Sequence, residues 1–241
     1  MPIRSRIARA AQSSRSSLRS IAPDQPRRAL VAEAMGTGFL VIALVGSGIV
    51  GASLAGGIAA LAVLFTVVAV ACVLYALITV FGPLSGGHFN PAVTAAFVLR
   101  GDMAKRTGLA YVIAQVLGAC AGVILAHLMF GLPPVQMSSS LPAPGLPRFG
   151  AELVVSFGLL MVIFGGLAAR AESVPALVSL YVPATYLVTA EPNLANPAVT
   201  LARGLSGSTV GLWPGYVVMF LVAQVVAVGL ATVILPRLFR D

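Results

Sequence analysis

The chain contains very few charged residues: 9% of its 241 residues are Asp, Glu, Lys or Arg, whereas 59% are hydrophobic. Soluble domains usually carry about a quarter of their residues as charged ones. Such a composition cannot cover a soluble surface, so a polytopic all-α membrane protein is predicted.

Cysteine and histidine are equally scarce. Cys72 and Cys120 stand inside apolar runs, where a free Cys behaves as a small hydrophobe, and His88 and His127 are the only imidazoles. A metal or thiol site is therefore not expected. The sequence also offers no nucleophile with a base, no phosphate loop and no metal cluster, so neither an enzyme nor a cofactor is predicted.

Acidic residues are outnumbered by 15 Lys and Arg, which gives a formal net charge of +8. The basic residues lie at the ends of apolar runs rather than on a soluble face, so nucleic acid is not the expected partner. Residues 1–28 are rich in Arg and Ser, which is compatible with a transit peptide. We favour a basic, disordered cytoplasmic tail, because positive charge is retained on the cytoplasmic side.

Spanning helices need about 20 mainly apolar residues. Six segments satisfy this rule: Ala29–Gly51, Ile58–Val80, Gly108–Phe130, Ala151–Ala169, Val174–Thr189 and Leu212–Leu235. Two further apolar pieces, Pro91–Leu99 and Pro197–Gly204, are too short to cross a membrane.

Both short pieces are opened by the pentapeptide Asn-Pro-Ala-Val-Thr, at Asn90–Thr94 and at Asn196–Thr200. Asn is a favoured N-cap, and Pro fits the first helical position because its missing N–H has no partner there. Each copy therefore predicts the start of a helix inside the membrane. Paired, Pro-interrupted apolar segments in two halves of a chain indicate a site at the membrane midplane.

The two halves repeat one another around a Pro- and Ser-rich linker. The predicted channel domain covers residues 29–236, with repeat 1 at about 29–130, the linker at 131–149 and repeat 2 at about 150–236; residues 237–241 form a C-terminal tail. Because each half holds three spans, the second half must enter the membrane from the opposite side. The two half-helices then meet at the midplane.

Charge placement predicts the orientation. With both termini in the cytoplasm, only Arg148 and Arg203 of the 15 basic residues fall outside, as the positive-inside rule requires. Non-helical backbone at membrane depth must line a cavity or be buried in protein, so the loops 82–89 and 190–195 are predicted to flank a pore. Carbonyl groups there accept hydrogen bonds from a solute, while Asn90 and Asn196 donate to it. Two positive helix ends at the centre disfavour cations and protons.

The run Gly82–Thr94 and the second Asn-Pro-Ala closely resemble the aquaporin and aquaglyceroporin (major intrinsic protein) family, and the likeness extends over essentially everything after Arg28. The resemblance implies a passive channel for water and small neutral solutes such as glycerol, urea or undissociated metalloid acids. It implies a lipid-embedded homotetramer, and we expect a multi-pass protein of a bacterial inner membrane. The pore motifs would be Asn90-Pro91-Ala92 and Asn196-Pro197-Ala198.

By the same resemblance, Glu33 and Glu152 are buried carboxylates that support the two loops. The alternative is proton or ion coupling, since an acid inside the membrane is a functional candidate by default. His88 is expected to brace its loop or to form the pore wall, and a role as pH sensor stays open. Gln115 and Gln224 are interpreted as helix-packing positions.

The chain departs from the family pattern at the outer selectivity filter. Most members carry Arg directly after the second Asn-Pro-Ala, and this chain has Val199. The family's spacing places the other filter positions at Val70, about Ala184 and Asn193, which predicts a wide, apolar constriction. Arg203, one turn beyond Val199, either takes over part of the missing role or extends to the outer surface.

Two other functions remain open from the sequence. One is a secondary transporter with an inverted repeat, which would couple flux to an ion through Glu33 or Glu152. The other is a non-conducting structural or adhesive membrane protein of the same fold.

Overall fold

The computed structural model describes residues 26–138, 145–189 and 195–239. Regular structure in these ranges consists of a 3₁₀ turn at Ala171–Ser173 and of α-helices: α1 Pro26–Leu54, α2 Ala59–Ser85, α3 Pro91–Leu99, α4 Lys105–Met129, α5 Leu146–Ala169, α6 Val174–Val188, α7 Pro197–Arg203 and α8 Pro214–Leu238. The predicted tail before residue 26, Asn193 and the last two residues lie outside the described ranges.

Six of these helices are long and apolar enough to cross a membrane: α1, α2, α4, α5, α6 (counted from the 3₁₀ turn) and α8. A helix of 25 residues, such as α4, is about 38 Å long at 1.5 Å per residue and exceeds the hydrocarbon core of about 30 Å. Many large apolar side chains on these helices are exposed, among them Leu117, Leu180 and Val225, as expected of surfaces that face lipid. The prediction of six spans and two half-helices is confirmed.

Helices α1 and α4 approach very closely through glycine. A Cβ on Gly118 would lie 2.1 Å from the carbonyl oxygen of Ala34, and one on Gly122 would lie 2.5 Å from that of Gly38. No side chain fits between these backbones, so the helices pack backbone to backbone, as small residues permit in membranes.

The half-helices α3 and α7 have nine and seven residues. Since α3 follows the second span and α7 follows the fifth, they enter from opposite sides. We name the side on which α3 ends the inner side and the side on which α7 ends the outer side, following the predicted orientation.

Three predicted domain boundaries do not coincide with the helix ends. Helix α1 begins at Pro26, inside the predicted disordered tail 1–28. Helix α5 begins at Leu146, inside the predicted linker 131–149, because Pro147 fits the first turn of a helix. Helix α8 continues to Leu238 and contains Pro236, so it runs past the predicted domain end at residue 236.

Candidate functional site: the junction of the two half-helices

The N-termini of α3 and α7 meet through a reciprocal pair of hydrogen bonds. Asn90 Nδ2 donates to the carbonyl oxygen of Ala195 at 2.8 Å, and Asn196 Nδ2 donates to that of Phe89 at 2.9 Å. Each Asn Oδ1 accepts from its own helix, from the N–H of Ala92 or of Ala198. These partners fix which side-chain atom is oxygen and which is nitrogen. An amide NH₂ has two hydrogens, so each Asn retains one donor for a solute.

The residue before each Asn has a strained backbone. Phe89 and Ala195 have φ of 46° and 50°, in the left-handed region that non-glycine residues seldom occupy. Such a conformation costs on the order of 1–3 kcal/mol and persists where surrounding contacts hold it. Both carbonyl groups are held by the opposite Asn, and both N–H groups are held by a buried glutamate. The two loops are therefore fixed in equivalent ways.

Glu33 is fully buried and accepts four hydrogen bonds. Oε1 accepts from the Ser85 hydroxyl at 2.6 Å and the His88 N–H at 3.0 Å. Oε2 accepts from the Phe89 N–H and from Gln115 Nε2, both at 2.7 Å. Because all four donors belong to the first loop or to a neighbouring helix, this carboxylate holds the loop in place.

Glu152 occupies the equivalent place in the second half. Its Oε1 accepts from the Ala195 N–H at 3.1 Å and from Gln224 Nε2 at 2.6 Å. Gln224 also donates to the Thr200 hydroxyl, as Gln115 does to that of Thr94.

The interpretation of both glutamines as packing positions was incomplete. Each donates hydrogen bonds both to a carboxylate that holds a loop and to a half-helix. The signal was available: a Gln in an apolar run needs a partner, and it recurred at equivalent positions in both halves.

A cavity of about 120 Å³ runs past the junction. One water molecule needs roughly 10–15 Å³ of such space, so several fit. The wall is mostly aliphatic, and its polar part comes from the first loop and the two Asn side chains. The lining residues are Leu40, Leu44, Val70, Leu74, Ile78, Gly86, Gly87, His88, Phe89, Asn90, Val93, Phe97, Leu159, Ile163, Leu167, Val174, Val178, Val182, Asn196 and Val199.

Two of the predicted filter positions, Val70 and Val199, line this cavity, but Ala184 does not. On α6 the lining falls on Val174, Val178 and Val182, at a spacing of one turn. Ala184 is exposed, since two residues beyond Val182 correspond to about 200° around the helix. The placement of Ala184 in the filter was therefore wrong, because a count through a loop ignores the helical face. Asn193 is outside the described residues.

Arg203 is 6% exposed, and its Nε donates to the carbonyl oxygen of Val210. It does not extend to the outer surface as a snorkelling side chain, nor is it among the residues that line the cavity. Its guanidinium instead ties the end of α7 to the segment before α8.

His88 combines the two roles expected of it. Its Nδ1 lies 3.1 Å from the Thr94 hydroxyl, which fixes the ring against α3. The same ring lies at the cavity wall and contacts the ring of Tyr111. Within the described ranges, no three His, Cys, Asp or Glu side chains are grouped so as to hold a metal ion.

Fold and site together define a six-span membrane protein in which two re-entrant half-helices flank an internal cavity. The Major intrinsic protein family model matches residues 20–192. The chain is 47% identical over 197 residues to aquaglyceroporin AqpS of Rhizobium meliloti (strain 1021), covering 82% of this chain and 84% of that protein. It is 35% identical over 194 residues to aquaporin NIP1-1 of Zea mays, covering 76% and 67%.

A solved structure agrees at the level of the fold. The aquaglyceroporin from Plasmodium falciparum matches with a TM-score of 0.61 over 89% of this chain and 98% of that chain, at 23% identity. The chain belongs to the major intrinsic protein family, the family of aquaporins and aquaglyceroporins.

Proposed function

We propose that this protein is a passive channel for water and small neutral solutes, of the size of glycerol, urea or an undissociated metalloid acid, and that it excludes protons and ions. The observation that carries the proposal is the pair Asn90 and Asn196, which present amide donors from two opposed helix ends to one aliphatic cavity. Two donors at the centre orient a solute's oxygen, and the aliphatic wall holds it weakly. Weak, oriented binding permits rapid passage.

Exclusion of cations and protons is supported by the helix ends. Each helix N-terminus carries roughly half a positive charge, and α3 and α7 place both at the cavity centre. A water molecule that accepts from the two Asn donors cannot also relay a proton along the file in either direction. Charged species therefore meet a central barrier.

Passage of solutes larger than water is supported by the outer half of the cavity. The lining there consists of Val70, Val182 and Val199, in place of the Arg and aromatic side chains of a narrow filter. Three branched aliphatic groups offer no hydrogen bonds there, so a carbon backbone is tolerated.

Ion coupling is not favoured by the carboxylates. Glu33 and Glu152 are buried, accept hydrogen bonds from the loops and are not among the residues that line the cavity. A coupling residue has to exchange its ion with the transport path, and these side chains are committed to bracing the loops.

Three further features belong to the proposal. The positive-inside rule supports cytoplasmic termini, the relative in Rhizobium meliloti supports a bacterial inner membrane, and the family resemblance supports a homotetramer in lipid. No non-lipid partner is required for conduction through a cavity within one chain.

Stopped-flow measurements on proteoliposomes test the function. We expect water, glycerol and urea permeabilities well above those of empty liposomes. The solute flux should rise linearly with the solute concentration. Rates that match empty liposomes would identify a non-conducting structural protein, and saturable uptake driven by an ion gradient would identify a transporter.

A further inference from the structure

Counted from each Asn, the first eight residues of the two half-helices differ at two equivalent positions, Ala95/Leu201 and Phe97/Arg203, and the second pair concerns the cavity. The sequences from Asn90 and from Asn196 are Asn-Pro-Ala-Val-Thr-Ala-Ala-Phe and Asn-Pro-Ala-Val-Thr-Leu-Ala-Arg, so Phe97 corresponds to Arg203. The valines at the fourth position, Val93 and Val199, both line the cavity. At the Phe97/Arg203 position, Phe97 lines the cavity, whereas Arg203 is buried against the Val210 carbonyl. At this position the repeat thus places an aromatic ring in the cavity lining on the inner side, whereas its counterpart on the outer side does not line the cavity.

Phe97 stands well away from the midplane. Seven residues along α3 correspond to about 10 Å from Asn90 towards the inner side. The neighbouring lining residues there are Leu167 near the end of α5 and Val174 at the start of α6. Three element ends therefore meet around the inner mouth, and Phe97 is the aromatic one of these three lining residues.

The Phe97 ring contacts two other aromatic rings. Its centroid lies 4.6 Å from that of His88, with 34° between the ring planes, and 5.5 Å from that of Phe164, with 51° between the planes. The Arg100 guanidinium carbon lies 4.1 Å from the Phe164 ring centroid, and Arg100 Nε pairs with Asp102 Oδ2 at 2.9 Å. A cation over an aromatic face and contacts between aromatic rings each stabilise a fixed arrangement.

A fixed ring sets a sharper size limit than a flexible aliphatic chain of similar volume. Phe97 is half-buried, so part of the ring remains open to the cavity. The outer mouth, by contrast, is lined by the branched side chains of Val70, Val182 and Val199. Of the lining residues named at the two mouths, the aromatic one, Phe97, therefore lies at the inner mouth.

We propose that Phe97 is a specificity-determining residue of this channel: its ring, restrained by contact with the rings of His88 and Phe164, sets the upper size limit for neutral solutes at the inner mouth. This inference rests on the proposed function, and it locates size selection on the side opposite the outer filter. Arg100 acts as a positioning residue, because it touches Phe164 rather than the solute.

The test compares water, glycerol and the four-carbon polyol erythritol in proteoliposomes of the full chain. For Phe97→Ala we expect the erythritol-to-glycerol permeability ratio to rise roughly tenfold, the scale on which apolar contacts discriminate small differences in size. Phe97→Trp should lower the same ratio and reduce glycerol flux relative to water. Arg100→Gln should shift the ratio in the direction of Phe97→Ala, but less. The control is Phe39→Ala, the same change on an exposed face of α1.

The outcomes separate the two proposals. Wild-type liposomes impermeable to both water and glycerol would defeat the proposed function. Wild-type conduction with an erythritol-to-glycerol ratio that neither Phe97→Ala nor Phe97→Trp changes would overturn the inference alone. If the Ala variant fails to fold, Phe97→Trp and Phe97→Leu decide: the ratio must fall for Trp and rise for Leu.

Discussion

We propose that Val199 most directly sets the width of the outer half of the cavity. It follows the second Asn-Pro-Ala and lies in the lining together with Val70 and Val182. Replacement by Arg would place a planar guanidinium across an aliphatic passage. Its donors can substitute for part of the hydration of a water molecule, but its bulk opposes a polyol.

For Val199→Arg we expect glycerol and urea permeability to fall by roughly tenfold or more, with a smaller loss for water, since apolar contacts discriminate size on that scale. Stopped-flow rates in proteoliposomes check this, and Val199→Leu serves as the control for added volume without charge. An unchanged glycerol-to-water ratio in a folded Arg variant would show that Val199 is not at a constriction.

Glu33 is the residue on which the first loop depends most. In Glu33→Gln an amide NH₂ replaces an oxygen that accepts from two donors, so at least one buried donor loses its partner. We expect a loss of roughly 1–3 kcal/mol in stability, the usual cost of an unsatisfied buried group. Thermal denaturation in detergent measures it, and solute flux should fall in parallel.

Glu172→Gln supplies the matched control, because it makes the same change in a residue outside the bundle core. Glu172 is 76% exposed and lies 3.8 Å from Arg170. If Glu33→Gln were as stable as this control and conducted glycerol but had lost a pH-dependent component of uptake, the bracing role would give way to ion coupling.

Single residues also mark where sequence reasoning reached its limit. The positions of Asn90 and Asn196 at helix N-termini were predictable, because Asn followed by Pro strongly favours the start of a helix. The place of Ala184 was not, since a count through a loop does not determine which helical face a residue occupies. Phe97 was overlooked as well, although an alignment of the two repeats marks it as the counterpart of Arg203.

At the scale of helices, α1 and α4 pack backbone to backbone. Gly118→Ala should separate them, because the added Cβ would lie 2.1 Å from the Ala34 backbone oxygen, which cannot move independently of α1. We expect a lower melting temperature in detergent and loss of correctly folded protein.

Gly229→Ala is the matched control for this prediction. Gly229 lies inside α8, and a Cβ there would meet nothing within 4 Å. It should leave stability unchanged or raise it slightly, since Ala is the better helix former by roughly 1 kcal/mol. Equal melting temperatures for the two variants would contradict the close-packing account of α1 and α4.

The helices themselves were largely predictable, because a helix must contain about 20 apolar residues to cross the membrane. Apolar runs of that length are therefore distinguished from shorter ones. The six spans and the two half-helices follow from this constraint. Helix ends were less well determined: α5 begins at Leu146, with Pro147 in its first turn, within a segment that was predicted to be a linker because of its high Pro content. Proline is compatible with both a loop and a first helical turn, so local composition could not decide between them.

At the scale of the whole molecule, the inverted repeat explains why two weak local signals become one site. Each half supplies a Glu, a Gln and a half-helix, and neither half completes the junction alone, because each Asn donates to the opposite loop. The sequence predicted this meeting from an odd number of spans per half. It could not predict the reciprocal Asn bonds, which depend on the strained φ of Phe89 and Ala195.

The central claim is that neutral solutes pass the junction of α3 and α7 while protons do not, and one measurement tests it most directly. Proteoliposomes that contain the full chain and an internal pH-sensitive dye are mixed with a glycerol solution to create a glycerol gradient. The measurement is made with and without an imposed pH gradient. The account predicts rapid glycerol entry at a rate independent of the pH gradient and no change of internal pH beyond that of empty liposomes. Glycerol entry that drives internal pH, or that is driven by the pH gradient, would contradict it.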